Sequence, residues 1–558
     1  MFEEDNYLGT LVGNTGNLTV QVALRDSYSV RRGEFVRVMH KERKSDDPLW
    51  VLGRMLRIGR ENILYNPSLG EGVSDIELVV SKDSGETVYG VMELIGYRDP
   101  ETGEIKIPRR PLDPGSHIYS VDFEFLQNFY EYSPDTSIHI GNLVGYEKGE
   151  NVVPVYIDID KIVTEHLAVL AMTGAGKSYT IGRIIERMLV QSNASIVVFD
   201  PHGEYGNVFK GGKVNFAEIE ESESLSEIQN KFKKMQADGG GIKIYAPRDD
   251  KFRHKYNNKY TELALQIDGM DVDELQAILP EMTEPQERVL SVAIRYWLQN
   301  YDKPRDTNEL LRLLTEERDK LKNWSELYES ERKALNDRSA SIIALRLRRV
   351  INEARSFYEH GQKPFDVHEM VGRKHGFDNK DNIGRIAIVD MQGLSKTAMQ
   401  IIVALIGNEI MKASTDQKDP IRPVFVVVEE GHLFAPAKES GISKSIISKM
   451  ASEGRKFGVG LAIVSQRPSK LDADVTSQCN TIIAMRIKNP DDQRFIRSTS
   501  DFFSEADINE LPALSTGEAL ICGRAIVAPL IVKVGLKALI HGGESPKVCK
   551  TWKQGQII

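Results

Sequence analysis

The apolar residues of this 558-residue chain recur with different periods in different segments, and in the first segment they alternate with polar residues. Between residues 7 and 97, short alternating runs such as Leu18–Val22, Phe35–Met39 and Val88–Ile95 are separated by breaks rich in Gly and Asp. Such alternation is typical of β-strands with one buried face. We therefore predict a small β-barrel over residues 1–97. We expect this barrel to serve interaction with other proteins or assembly; the alternative is a structural cap.

A different pattern begins near Gly141, where short, wholly apolar runs replace the alternating ones. Runs of this kind are typical of parallel strands that are covered on both faces, and amphipathic helical spacing lies between several of them. These runs lie within the segments Leu167–Leu170, Ser195–Phe199, Arg385–Val389, Val424–Val428, Gly460–Val464 and Thr481–Met485. They predict an α/β fold with a doubly wound parallel sheet, in which a nucleotide lies at the carboxyl ends of the strands.

Charged amphipathic segments interrupt this core. Thr283–Gln286 has the form of a capping box with proline in the first turn, and a longer helical pattern passes through Ala340–Leu347. These segments predict a helical insertion within the α/β core. The predicted organisation is a barrel at 1–97, a connector at 98–140, core segments at 141–259 and 376–534, the insertion at 260–375, and a C-terminal extension at 535–558.

The segment Ala171–Ser178 has the form of a phosphate-binding loop between an apolar strand and a helix, with Ala171 where the usual pattern has Gly. Small residues in such a loop let backbone N–H groups point at phosphate oxygens, Lys177 reaches the β- and γ-phosphates, and the Ser178 hydroxyl ligates Mg²⁺. The alternative is a chance match, which the order strand, loop, helix, strand disfavours. The predicted nucleotide-binding residues are Thr173, Gly174, Ala175, Gly176, Lys177, Ser178 and Tyr179.

Two acids, Glu429 and Glu430, end the most apolar run of the chain. A buried strand that delivers carboxylates to a phosphate loop is what Mg²⁺ binding and water activation require. We expect Glu429 to be the metal partner and Glu430 the catalytic base, although Glu where Asp is usual at the first position leaves the division of roles open. Two solvated acids at a strand end are the alternative.

Two further segments have the form of γ-phosphate sensors. Arg455 precedes the strand at Leu461, from which it could extend to the nucleotide of a neighbouring subunit; the alternative is an ordinary surface cation. Gln466 directly follows the same strand and is placed to sense the nucleotide of its own subunit. Its alternative is a side chain that only shapes the loop.

Composition narrows the class of protein. The chain is 41% hydrophobic and 27% charged, and its three cysteines lack the paired spacing of a disulfide framework or zinc site. Its first residues are acidic, and it contains no apolar run long enough to cross a membrane. We expect a cytoplasmic protein without membrane attachment. The net charge of −9 does not exclude a nucleic-acid partner, because binding can use a local stripe or the inside of a ring.

The sequence contains three local clusters of positive charge, and each is either a solvated face or a DNA contact. The second cluster is the best candidate for a DNA contact, because aromatic residues are interleaved with its cations. The first contains Arg31, Arg32, Arg37, Lys41, Arg43 and Lys44; the second contains Lys251, Arg253, His254, Lys255 and Lys259 with Phe252, Tyr256 and Tyr260; the third contains Arg346, Arg348, Arg349 and Arg355.

Taken together and in this order, six motifs resemble those of the HerA family of archaeal and bacterial DNA translocases, over nearly the whole chain. They are Gly141–Gly145, Ala171–Ser178, Asp200–Glu204, Val428–His432, Glu453–Phe457 and Ser465–Pro468. The resemblance implies a RecA-like P-loop ATPase core with a helical insertion and an N-terminal β-barrel. It also implies that Lys177, Ser178, Glu429 and Glu430 carry ATP hydrolysis and that Arg455 acts across a subunit interface.

The same resemblance implies a homohexameric ring that moves along double-stranded DNA and works with a NurA-like nuclease in DNA end resection for recombinational repair. Two alternatives stay open. One is a ring platform whose ATP binding activates a bound nuclease or another effector, including effectors of phage defence. The other is a protein-translocating motor like the conjugation ATPases, which usually work at a membrane.

Overall fold

The computed structural model describes residues 6–16, 18–26, 30–42, 47–62, 86–146, 152–206, 226, 228–230, 233, 241–264, 275, 278–279, 282–302, 306–354, 357, 365–373, 384–439 and 441–538. The chain divides into two compact units. The first comprises Met1–Ser133, Gly141–Val155 and Ile526–Lys533, and the second comprises Pro134–Ile140, Tyr156–Ala525 and Val534–Ile558.

The first unit contains the predicted β-barrel. Its strands are β1 (Tyr7–Val12), β2 (Thr19–Leu24), β3 (Phe35–His40), β4 (Leu49–Asn62), β5 (Glu86–Arg98), β6 (Ile105–Lys106) and β7 (His117–Ser120), followed by helix α1 (Phe123–Phe129). The antiparallel order β2-β1-β7-β3-β4-β5 closes on itself because β2 also pairs with β5. Alternate residues, among them Val22, Val38 and Met92, fill its core. The prediction of a small N-terminal barrel is confirmed.

The second unit is built on a mostly parallel sheet in the order β13-β12-β14-β11-β15-β16-β10-β17-β18. The pairs from β13 to β17 are parallel, and β18 pairs antiparallel with β17. These strands are β10 (Leu167–Leu170), β11 (Ser195–Asp200), β12 (Ile242–Ala246), β13 (Thr261–Glu262), β14 (Arg385–Asp390), β15 (Val424–Val428), β16 (Val459–Ser465), β17 (Thr481–Met485) and β18 (Glu518–Gly523).

Three more strands are β8 (Ser137–Leu143), β9 (Pro154–Asp158) and β19 (Leu530–Val534). The wholly apolar runs of the sequence are the central strands, and every residue of β11, β15, β16 and β17 is buried. A parallel sheet directs the carboxyl ends of neighbouring strands to one edge, so the residues that follow β10, β11, β14, β15 and β16 share that edge.

Helices cover the sheet and also form the insertion. Those of the core are α2 (Ile159–Thr164), α3 (Lys177–Gln191) and α4 (Asp250–Tyr256), and later α10 (Val367–Val371), α11 (Lys396–Thr415), α12 (Lys444–Glu453), α13 (Ala473–Ser477), α14 (Pro490–Thr499) and α15 (Glu505–Glu510). Short 3₁₀ helices occur at Gly431–Leu433, Gly454–Phe457 and Pro468–Lys470.

The insertion lies between β13 and β14 in the chain. It contains α5 (Glu284–Asn300), α6 (Thr307–Thr315), α7 (Arg318–Lys322), α8 (Glu329–Ala334) and α9 (Asp337–Ala354). The predicted capping box is present, since the N–H group of Thr283 donates to Gln286 Oε1 at 3.1 Å. Trp297 is fully buried and its Nε1 donates to Glu309 Oε2 at 3.1 Å, which joins α5 to α6. The predicted fold class is confirmed.

The residue boundaries assigned to the six segments stay predictions. Of the predicted features, Arg43, Lys44, Arg355 and residues 539–558 of the C-terminal extension lie outside the described residues. Among the helices that the structure describes, none combines the length and apolar character needed to cross a bilayer.

Candidate active site

The predicted phosphate loop joins β10 to α3 at the centre of the sheet, where β10 pairs with β16 on one side and β17 on the other. Gly174 and Gly176 adopt positive φ angles of 79° and 107°, which glycine reaches without steric cost. No side chain caps α3, and within the described residues the N–H groups of Gly176, Lys177 and Ser178 donate no hydrogen bond. An uncapped helix start of this kind is suited to bind phosphate.

Lys177 reaches from the loop to the two predicted acids. Its Nζ lies 2.6 Å from Glu429 Oε2 and 3.0 Å from Glu430 Oε1. Both carboxylates are buried, at 4% and 3% exposure, so they require a cationic partner. Burial acts to lower the pKa of Lys177, but the charges of Glu429 and Glu430 outweigh it and raise the pKa above its ordinary value. The structure thus brings the phosphate loop and the two acids together.

The two acids differ in what else they contact. Glu429 Oε1 accepts a hydrogen bond from the Tyr205 hydroxyl, and its Oε2 accepts from Lys177. Glu430 has a left-handed backbone with φ 51°, which costs a residue with a Cβ about 1 kcal/mol. Its Oε2 is buried and accepts no hydrogen bond within the described residues, although His432 Nδ1 lies 3.4 Å away. Both carboxylate oxygens of Glu429 thus accept hydrogen bonds, whereas Oε2 of Glu430 accepts none from the described residues.

The donor set fits Mg²⁺, which prefers oxygen ligands and usually keeps waters and substrate phosphates among them. Ser178 supplies a hydroxyl in the first turn of α3, and Glu429 supplies a carboxylate that the loop lysine already contacts. The buried Glu430 Oε2 adds an oxygen whose hydrogen-bonding capacity is unused among the described residues. The assignment of Ser178 and Glu429 as metal ligands stays a prediction.

The predicted cis sensor, Gln466, lies against the phosphate loop. The Thr173 hydroxyl donates to Gln466 Oε1 at 2.6 Å, a contact between residues far apart in sequence. Tyr179, predicted to bind nucleotide, is already engaged on the other side of α3: its hydroxyl accepts from the Lys537 N–H at 2.7 Å, and Lys537 Nζ lies 5.7 Å from its ring centroid. The structure therefore supports Gln466 more directly than the Tyr179 ring.

Arg455, predicted to act in trans, lies in the 3₁₀ helix before β16. The phosphate loop begins where β10 ends, and Leu170 at that end is in register with Ser465 at the end of β16. Arg455 is thus separated from its own Lys177 by the length of β16, roughly 20 Å. Its side chain is 63% exposed, and the ion pair that it forms among the described residues is with the buried Glu165, at 3.9 Å. It cannot serve the nucleotide of its own chain.

Tyr205, which lies one residue beyond the Asp200–Glu204 motif, was not among the predicted site residues. It is 3% exposed, and its hydroxyl contacts Glu429 across 224 sequence positions. The only sequence signal for it is its position after a strand that ends in an acid at the nucleotide edge of the sheet. Asp390, which ends β14, belongs to the same edge.

The second basic cluster is largely structural. Phe252 and Tyr256, whose rings would be needed for base stacking, are each 2% exposed and pack with Ala246. Lys255 Nζ lies 2.7 Å from Asp390 Oδ2, and Lys251 Nζ donates to the carbonyl oxygen of Gln392 at 3.1 Å. Because Phe252 and Tyr256 face inwards, neither ring is available for the base stacking that the sequence indicated.

Comparison with known proteins supports the sequence resemblance. The family model "Helicase HerA, central domain" matches residues 138–410. A probable helicase of Methanocaldococcus jannaschii is 30% identical over 484 residues, which cover 85% of this chain and 82% of that protein. The DNA double-strand break repair helicase HerA of Pyrococcus furiosus is 27% identical over 602 residues, which cover 99% of this chain and 97% of that protein.

Among solved structures, the bacterial conjugative coupling protein TrwBdeltaN70 aligns with 14% identity and a TM-score of 0.48, covering 76% of this chain and 94% of that one. The sequence relatives extend over both units of the chain, and the family model covers the phosphate loop. The chain belongs to the HerA family and is an ATP-hydrolysing enzyme.

Proposed function

We propose that this chain is an ATP-driven motor that moves along double-stranded DNA as a homohexameric ring. The observation that carries the proposal is the separation of Lys177 and Arg455 on opposite edges of one sheet. A nucleotide held by Lys177 needs a second chain to supply an arginine, and repeated head-to-tail contacts of this kind form a ring when their rotation closes. A relative whose name includes DNA double-strand break repair helicase supports DNA as the track.

ATP and Mg²⁺ are the proposed ligands. Lys177 would exchange Glu429 and Glu430 for the β- and γ-phosphate oxygens, and the free N–H groups of the loop would bind the same phosphates. Ser178 and Glu429 would hold Mg²⁺, which when bound neutralises charge on the phosphates. Glu430 Oε2 would accept the proton of the attacking water, and Gln466, held at the loop by Thr173, would contact the γ-phosphate.

The proposed setting is DNA end resection for recombinational repair in the cytoplasm, together with a NurA-like nuclease. The N-terminal barrel is closed, and its described residues contain no group of three or more His, Cys, Asp or Glu side chains that could hold a metal ion. A barrel without a catalytic constellation suits docking. We therefore propose it as the part that contacts the nuclease or a second ring.

The rate of ATP hydrolysis is expected to rise with linear double-stranded DNA, and the stimulation is expected to disappear with salt. A motor that contacts six to ten phosphates loses about 10³-fold or more in DNA affinity between roughly 50 and 200 mM salt. The measurement is the hydrolysis rate against ionic strength with and without DNA, with Lys177→Ala as the hydrolysis-deficient control. A rate that is the same with and without DNA, alone and with a nuclease partner, would contradict the motor and favour the nuclease-activating platform.

A further inference from the structure

Three buried acids lie side by side where β11, β14 and β15 end. Asp200 and Asp390 face each other in register on neighbouring strands, and Glu429 follows the adjoining β15. Their exposed fractions are 1%, 0% and 4%. Burial, together with the charges of Asp390 and Glu429, raises the pKa of Asp200 to about 7 although backbone hydrogen bonds act to lower it. Such a cluster is costly unless its oxygens are committed to defined donors.

Asp200 commits its oxygens to the turn that follows it. Oδ1 accepts from the N–H groups of Gly203 at 2.8 Å and Glu204 at 3.1 Å, and Oδ2 accepts from that of Tyr205 at 2.9 Å. Gly203 adopts a φ of 70°, which lets the chain reverse within these few residues. Three bonds to one carboxylate fix the backbone from which the Tyr205 side chain projects.

Two residues of helix α4 contact the turn that follows Asp200, or the neighbouring Asp390. Lys255 Nζ lies 2.7 Å from Asp390 Oδ2 and 3.3 Å from the carbonyl oxygen of Gly203. The Tyr256 hydroxyl donates to Asp390 and packs so closely on Gly206 that a Cβ atom there would collide with it. Two residues of the second basic cluster, Lys255 and Tyr256, therefore support the turn.

Tyr205 connects this fixed turn to Glu429 through a hydrogen bond. Its hydroxyl donates to Glu429 Oε1, while Glu429 Oε2 accepts from Lys177 at 2.6 Å. Burial and the neighbouring charge of Glu429 raise the pKa of Tyr205 well above its ordinary value. The hydrogen bond fixes the plane of the carboxylate and leaves Oε2 to face the phosphate loop.

We propose that Tyr205 is a positioning residue that orients the Glu429 carboxylate towards Mg²⁺, with Asp200 and α4 holding the turn that carries it. The inference rests on the proposed role of Glu429 as a metal ligand and goes beyond it by naming the side chain that sets its orientation. Partners in the outer shell of a metal site typically change metal affinity by about 10–100-fold when removed.

The test compares Tyr205→Phe with Tyr301→Phe in the full-length chain. Tyr301 is a matched control, because its hydroxyl also donates to a carboxylate, Glu317 Oε2 at 3.2 Å, but lies at the end of α5 in the insertion. The readout is binding of a fluorescent, non-hydrolysable ATP analogue, titrated with Mg²⁺ and repeated in EDTA, with thermal unfolding as a check of folding.

For Tyr205→Phe we expect the Mg²⁺ concentration for half-maximal binding to rise about tenfold, while binding in EDTA and the behaviour of Tyr301→Phe stay as in the wild type. Equal Mg²⁺ dependence of the two variants would overturn the inference, as would an equal loss of binding with and without Mg²⁺. Lys255→Met provides a second variant that retains Tyr205 and loosens its turn, and it is expected to shift the Mg²⁺ dependence in the same direction.

The outcomes separate this inference from the motor function. A wild type that is not stimulated by DNA, but whose Mg²⁺ dependence shifts in Tyr205→Phe, would refute the motor and leave the role of Tyr205 standing. A DNA-stimulated wild type whose Mg²⁺ dependence is unchanged by Tyr205→Phe would refute the role of Tyr205 alone.

Discussion

Replacement of Arg455 by alanine is expected to reduce the rate of ATP hydrolysis about 10³-fold, because an arginine supplied to the γ-phosphate of a neighbouring subunit stabilises charge that develops in the transition state. The residue lies on the sheet edge opposite the phosphate loop of its own chain, and its side chain is 63% exposed. The measurement is the hydrolysis rate of wild type and variant mixed in varying ratios. If the ring couples its sites, a minority of variant subunits abolishes most of the activity.

Lys161→Ala is the matched control for this experiment. Lys161 Nζ lies 3.6 Å from Glu165 Oε1, the same oxygen that Arg455 approaches at 3.9 Å. Both substitutions therefore remove a cation from one buried carboxylate, but only Arg455 is proposed to reach a neighbouring nucleotide. We expect Lys161→Ala to hydrolyse ATP at nearly the wild-type rate. Equal losses of hydrolysis rate in the two variants would show that Arg455 only balances the charge of Glu165. In the mixing experiment, a rate that falls in proportion to the fraction of Arg455→Ala subunits would exclude coupling between sites.

The parts of the site that could be predicted from the sequence are those formed by consecutive residues. The phosphate loop and the Glu429–Glu430 pair each follow an apolar strand directly, and a parallel sheet brings such strand ends to one edge whatever the remaining contacts are. The barrel was predicted from alternation for the same local reason. Its closure by β2 and β5 depends on the register of distant strands, which alternation does not encode.

The parts that the sequence did not reveal depend on where single side chains point. Phe252 and Tyr256 are four residues apart on α4, and among lysines they resembled a stacking surface. The helix turns both rings towards the sheet, so that the neighbouring Lys255 contacts Asp390. The hydrogen bond from Tyr205 to Glu429 likewise joins residues that no period or motif relates.

The roles of the two acids differ in the structure in a way that their spacing could not show. Glu429 is held at both oxygens, by Tyr205 and Lys177, as suits a ligand with a fixed orientation. Glu430 follows it in a left-handed conformation, and its buried Oε2 accepts no hydrogen bond from the described residues. An oxygen that is desolvated and uncommitted is suited to accept a proton from water. We therefore expect Glu430 to be the catalytic base.

Glu430→Gln keeps the shape of the side chain and removes its ability to accept a proton. The rate of ATP hydrolysis is expected to fall about 10²–10⁴-fold, the usual contribution of a positioned base, while Mg²⁺-ATP still binds. Glu429→Gln, the matched variant at the neighbouring position, is expected instead to raise the Mg²⁺ concentration needed for half-maximal binding. The two quantities to measure are single-turnover hydrolysis at saturating ATP and Mg²⁺, and binding of a non-hydrolysable analogue against Mg²⁺.

The pair of variants separates the two assignments of roles. If raising Mg²⁺ restores hydrolysis in Glu429→Gln but not in Glu430→Gln, the first acid holds the metal and the second acts on water. The reverse pattern, with rescue of Glu430→Gln alone, would exchange the roles and would also remove the reason for Tyr205 to orient Glu429 towards a metal. Because both carboxylates contact Lys177 at hydrogen-bonding distance, loss of the lysine contact alone cannot produce opposite responses to Mg²⁺ in the two variants.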